Sequence, residues 1–252
     1  MSASRILPTA APFRNTSRPT HGESRSSSPA KMRMELTSYF EAMLAAYGPQ
    51  FWWPGRTRFE IIVGAILTQN TSWTNVERAI RNLRRERLLS PSTMEHVPER
   101  QLAILIRSSG YFRQKARKLK AFLYFLRAQH QGSLARMFAA PTVELRGQLL
   151  SVHGIGPETA DSILLYAGNH PAFVVDTYTR RILERHRVAN GKEPYQAIRQ
   201  LFESNLPPDA KLFNEYHALL VHTGKHFCRK REPDCAHCPL KPFLPAIPET
   251  KS

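Results

Sequence analysis

Leu149-Leu150-Ser151-Val152-His153-Gly154-Ile155-Gly156-Pro157-Glu158-Thr159-Ala160 is the stretch on which the reading of this chain turns. Apolar residues recur at helical spacing before it, over 142–150, and after it, over 158–166. Two glycines around one apolar residue permit a tight turn with positive φ, and Pro157 suits the first turn of a following helix. N–H groups left free at such a turn and helix start can hold a phosphate without any charged side chain. A Gly-x-Gly pair alone says little, because ordinary helix turns also use glycine. Its meaning rests on the rest of the chain.

Working outward, the first periodic pattern starts at Glu35 (Leu36, Tyr39, Phe40, Met43, Leu44, Tyr47) and breaks at Gly48-Pro49. Further helices are expected at about 59–67, 75–86, 99–106, 114–129, 177–184, 195–204 and 209–223, separated by proline and glycine breakers. No alternating apolar and polar run persists, so the expected fold is all-α, and nothing repeats at a fixed period. Residues 1–33 are rich in Ser, Pro, Thr and Arg and read as a disordered basic tail with no signal peptide. Met32 and Met34 stand just before the first helix as candidate translation starts.

The chain has 252 residues, with 36 Lys and Arg against 20 Asp and Glu, and only six of those cations fall in the tail. A body that basic calls for a polyanionic partner, nucleic acid first and an anionic membrane surface second. No apolar run nears the roughly 20 residues that span a bilayer, so a soluble protein is expected. All three cysteines (Cys228, Cys235, Cys238) lie within eleven residues, which suggests a metal site in a reducing cytoplasm rather than a disulfide framework.

Twenty residues after Gly156, the apolar run Ala172-Phe173-Val174-Val175 ends in Asp176-Thr177-Tyr178-Thr179. Asp176 reads as a helix N-cap and, equally, as a carboxylate held ionised at a helix start and aimed into a cleft. Both roles fit one residue. The three tryptophans lie close together, in Trp52-Trp53-Pro54 and Gln69-Asn70-Thr71-Ser72-Trp73. They suit core packing or an aromatic slot in which an extruded base stacks, a cationic base gaining about 1–2 kcal/mol more.

In this order and spacing, the hairpin, the Val-Val-Asp-Thr element and the cysteines resemble the helix-hairpin-helix, Gly/Pro-rich-loop, aspartate DNA glycosylases related to endonuclease III, over roughly residues 35–244. The resemblance implies a two-domain fold: a six-helix barrel over 55–170, and a second helical domain from 34–54 plus 171–252 with a Cys-rich C-terminal loop. It implies base excision from double-stranded DNA carrying a damaged base, by a monomer acting at the bacterial-type nucleoid, with Asp176 as the catalytic carboxylate. The hairpin residues His153, Gly154, Ile155, Gly156 and Thr159 would hold phosphate. Bifunctional relatives carry a lysine where this chain has Glu158. A carboxylate forms no imine, so hydrolysis with weak or absent lyase activity is expected; Lys192, Lys211 and Lys225 are the substitute amines.

Glu158, together with Ser109-Gly110-Tyr111-Phe112-x-Gln114-Lys115-Ala116, looks like the 3-methyladenine DNA glycosylase III branch. That branch implies an alkylated purine as substrate, a base pocket of Trp52, Trp53, Trp73 and Glu158, Gln69 and Asn70 inserted into the duplex, and Lys225 at the branch's Gly-Lys position. Relatives with a 4Fe-4S cluster use Cys-x6-Cys-x2-Cys-x5-Cys, whereas here Leu244 stands at the fourth position. A cluster completed by His237, His226 or water, a lost cluster, or zinc all remain open. Two other readings of the chain stand beside this one: an endonuclease III-like lyase or thymine/uracil mismatch glycosylase, and a non-catalytic DNA-binding module.

Overall fold

The computed structural model describes residues 28–52 and 55–245. The expected tail over 1–27, Trp53, and residues 246–252 lie outside the described residues. Among those described there is no strand. The helices are α1 (Pro29–Tyr47), α2 (Arg58–Leu67), α3 (Trp73–Arg85), α4 (Pro91–Glu95), α5 (Glu99–Leu105), α6 (Phe112–His130), α7 (Leu134–Met137), α8 (Thr142–Ser151), α9 (Pro157–Ser162), α10 (Thr177–Arg185), α11 (Tyr195–Glu203) and α12 (Ala210–His226).

Residues 29–33, expected in the tail, belong instead to α1. The Ser28 hydroxyl accepts from Lys31 N–H and Pro29 occupies the first turn, so capping starts the helix before its apolar period begins at Leu36. A solvent-facing first turn carries no periodic signal.

The barrel is built around α2, which is buried at Phe59 through Gly64 and again at Ile66 and Leu67. A helix apolar on nearly every side must be covered on every side, and α3, α6, α9 and the turn after α9 pack against it. Thr57 caps it through Glu60 N–H, while the buried Glu60 carboxylate receives Arg84 of α3 at 2.7 Å.

The second domain pairs α12 with α10 and α1. Phe173 stacks on Phe202 at 3.8 Å, with Phe213 and Tyr216 meeting it edge-on. Tyr216 Oη donates to the Leu36 carbonyl, tying α12 to α1.

Between the domains runs the buried segment 172–175. Its N–H groups have no ladder to join, so side chains of α11 serve instead: Phe173 N–H donates to Glu203 Oε1 at 2.8 Å and Val175 N–H to Tyr195 Oη at 3.3 Å. Glu203 also pairs with Arg199, which reaches Asp161 of α9, and Arg146 of α8 clamps Asp161 with two bonds of 2.7 and 3.0 Å. One buried ionic network therefore sets the hairpin's second helix against the segment that delivers Asp176.

Candidate active site and nucleic-acid interface

Asp176 caps α10: its Oδ1 accepts from Thr179 N–H at 2.8 Å and from the Thr179 hydroxyl at 3.0 Å. Oδ2 faces Nε2 of His217 at 3.6 Å, from the middle of α12. His217 Nδ1 lies 2.5 Å from the Tyr166 hydroxyl. Tyr166 is presented by Ile163–Ala167, where α9 widens into a π-turn that Gly168 N–H closes onto the Ile163 carbonyl. Trp52 covers the group, stacked on His217 at 5.5 Å and edge-on to Tyr166 at 5.6 Å.

Burial alone would push the Asp176 carboxyl up, but the His217 and Thr179 interactions outweigh it and hold the carboxyl below its ordinary range. Glu158, exposed on the first turn of α9, shifts the other way: desolvation by the surrounding walls raises it, and the Asp176 charge adds to the rise. Two neighbouring carboxyls thus titrate apart, with Asp176 the one kept ionised.

The two glycines of the hairpin turn are not equivalent. Only Gly154 takes a positive φ, of 83°, while Gly156 is extended and caps α9. Ile155 is buried as the anchor between them. Neither the Gly154 nor the Gly156 N–H finds an acceptor among the described residues. Gln69 bridges to this turn, donating to the Gly154 carbonyl at 3.1 Å and to the Thr159 hydroxyl at 2.8 Å, and its own Oε1 accepts from Lys118. Asn70 beside it is exposed with φ of 54°. Lys115, buried and lowered to about 8 by burial and by the charge of Lys118, pins the end of α2 to the 107–109 turn through the Leu67 and Ser109 carbonyls.

Of the expected pocket residues, Trp52 meets the Asp176 group. Trp73 packs on Gly64 of α2 and donates its indole N–H to Glu77, and Trp53 lies outside the described residues. His153, Lys192, Lys211 and Lys225 are exposed. The residues not anticipated from sequence are His217, Tyr166 and Lys118. His217 sits 41 residues from Asp176 and Tyr166 51 residues from His217. The only sequence signal for His217 and Tyr166 is a polar residue inside an apolar helical run.

Cys228, Cys235 and Cys238 line one cavity of about 10 Å³ together with Leu240 and Leu244. Cys228 Sγ accepts from Arg185 at 3.1 Å, His237 turns to Asp234, and His226 is exposed. Among the described residues no group of three or more His, Cys, Asp or Glu is arranged to hold a metal ion. Three thiols with leucine in the fourth corner do not fit a cluster ligated by the protein alone. Arg181 and Arg185 of α10 hold this loop by side-chain bonds to its carbonyls. Among the described residues no helix is long and apolar enough to cross a membrane.

Residues 63–208 match the model of the HhH-GPD superfamily of base excision DNA repair proteins. A provisionally named DNA repair glycosylase of Methanocaldococcus jannaschii is 48% identical over 206 residues, 81% of this chain and 93% of that protein. Among solved structures, H. pylori 3-methyladenine DNA glycosylase (MagIII) bound to 1,N6-ethenoadenine aligns with a TM-score of 0.66 at 27% identity, over 78% of this chain and 97% of the other. An endonuclease III–DNA complex aligns at 0.72 with 21% identity, over 84% and 94%, a likeness of fold.

Proposed function

Because this chain belongs to the HhH-GPD superfamily of base excision DNA repair proteins, we propose that it hydrolyses the glycosidic bond of a damaged base flipped from duplex DNA, with Asp176 as its catalytic carboxylate and an alkylated purine as its substrate class. The observation that carries this reading is the Asp176 carboxylate, kept ionised by Thr179 and His217 at the end of a buried segment and beside the Trp52 ring. A carboxylate facing a polyanion is costly to a mere binder, and it suits an enzyme whose transition state develops positive charge on the sugar. As the base leaves, Asp176 stabilises that charge and orients the attacking water, taking up its proton. The free N–H groups of Gly154 and Gly156 and the flanking turn hold the phosphates, and Gln69 and Asn70 enter the duplex.

Glu158 in place of an amine supports hydrolysis without an imine, and the likeness to a 3-methyladenine glycosylase supports the alkylated purine. The test is a panel of single-lesion duplexes followed by alkali, run with wild type and Asp176→Asn. Excision should be highest on alkylated purines and should fall at least about a hundredfold in the variant, because Asn still caps α10 but carries no charge. Affinity for the lesion duplex should hold level or rise. Full activity in Asp176→Asn would end the reading, and efficient borohydride trapping of the wild type would replace hydrolysis by lyase chemistry.

A further inference from the structure

The reading above assigns Asp176 but not what fixes its orientation. An ionised carboxylate offers about four acceptor positions. Thr179 fills both positions of Oδ1, with its N–H and its hydroxyl. Oδ2 looks at His217 Nε2, which is buried and has no hydrogen-bond partner among the described residues, Oδ2 standing 3.6 Å away, a few tenths of an ångström beyond bonding reach. The ring cannot turn away, since Tyr166 holds Nδ1 and Trp52 lies stacked over it.

Its tautomer follows from its neighbours. Were Nδ1 to carry the only proton, the bare Nε2 would confront a carboxylate oxygen, lone pair against lone pair. In the neutral ring the tyrosine hydroxyl therefore donates to Nδ1 and the proton sits on Nε2, aimed at Asp176; in the charged ring Nε2 carries a proton as well. Burial and the Asp176 and Glu158 charges keep that phenol protonated.

Resting on the assignment of Asp176, we propose that His217 is a positioning residue: its Nε2–H closes onto Oδ2, leaving a single free acceptor position on the carboxylate for the attacking water, and ties that carboxylate to the Trp52 wall. The groups facing His217 are Asp176 from the start of α10, Glu158 from α9 and Tyr166 from the π-turn, with Arg180 acting on Glu158. Occupation of the aromatic wall by a base is then felt at the carboxylate through one stacked ring.

The test uses the full chain and three substitutions. His217→Phe keeps a ring under Trp52 without a donor, His217→Gln restores an amide N–H, and Tyr166→Phe removes the group that fixes the tautomer. One readout needs no substrate: the Asp176 carboxyl is titrated by carbon-13 NMR, assigned with Asp176→Asn. Its midpoint should rise in His217→Phe and return toward wild type in His217→Gln. The second readout is single-turnover release of methylated purines from dimethyl-sulfate-treated DNA. The rate should fall at least tenfold in His217→Phe and less in Tyr166→Phe, and the acid limb should move to higher pH. Affinity for a duplex with a tetrahydrofuran abasic analogue should not change. A wild-type titration and rate in His217→Phe, with Asp176→Asn inactive, overturn the proposal while sparing Asp176. Should His217→Phe fail to fold, an unmoved carboxyl titration in Tyr166→Phe overturns it.

Discussion

At Gly154 the backbone has a φ of 83°, and a Cβ built there would collide with Cγ of Lys118. Both facts act against any side chain, but unequally. The left-handed backbone costs an L-residue about 1–2 kcal/mol whatever surrounds it, whereas the lysine stem can swing aside. Moving it breaks the Lys118 bond to Gln69, the side chain expected to enter the duplex. Gly154→Ala should therefore lose about 1–2 kcal/mol in urea unfolding and also weaken binding to an abasic-analogue duplex; unchanged stability would mean the turn relaxes at no cost. Asp176 gives the residue scale its pH dependence. Its folded pKa is depressed, so its contribution to stability is present above the ordinary carboxylate range and is lost as pH falls through the lowered folded value. Glu158 runs in the opposite sense, its raised carboxyl costing stability as pH climbs through the ordinary range. Asp176 was legible in the sequence because a cap follows from its position before a helix. His217 was not, because its meaning lies in partners 41 and 51 residues away.

Among the elements, long periodic helices were legible to within a few residues, and α2 and α12 lie close to where their apolar residues put them. The misses share a cause. α4 and α7, of five and four residues, are too short to show a period, and the π-turn at Ile163–Ala167 depends on packing that no local pattern encodes. The C-terminal loop illustrates the same division. Three cysteines announce a metal site, but Leu244 stands where a fourth ligand is needed, and the arginines of α10 bond to the loop's carbonyls. Purified protein should accordingly hold well under four irons per chain by elemental analysis, and Leu244→Cys should raise iron content toward four and bring up the visible absorbance of a cluster. Four irons in the wild type, unaffected by replacing both His226 and His237, would show that water or an outside ligand completes the set.

For the molecule as a whole, the excess of 36 cationic over 20 anionic side chains is a statement about its partner. With six to ten phosphate contacts, affinity for duplex DNA should drop by about three to five orders of magnitude between 50 and 200 mM salt; a flat titration would reject the polyanion argument. The second domain is assembled from chain segments far apart, and the bond from Tyr216 to the Leu36 carbonyl spans 180 residues. During synthesis α1 leaves the ribosome first, but its partner α12 emerges only after a wait on the order of ten seconds or more at typical elongation rates. Throughout that interval Leu36, Tyr39 and Met43, fully buried in the finished protein, wait for the residues that cover them while the barrel helices emerge behind. A circular permutant that moves α1 to follow α12 would shorten that exposure and turn the slowest contact in the fold into a local one.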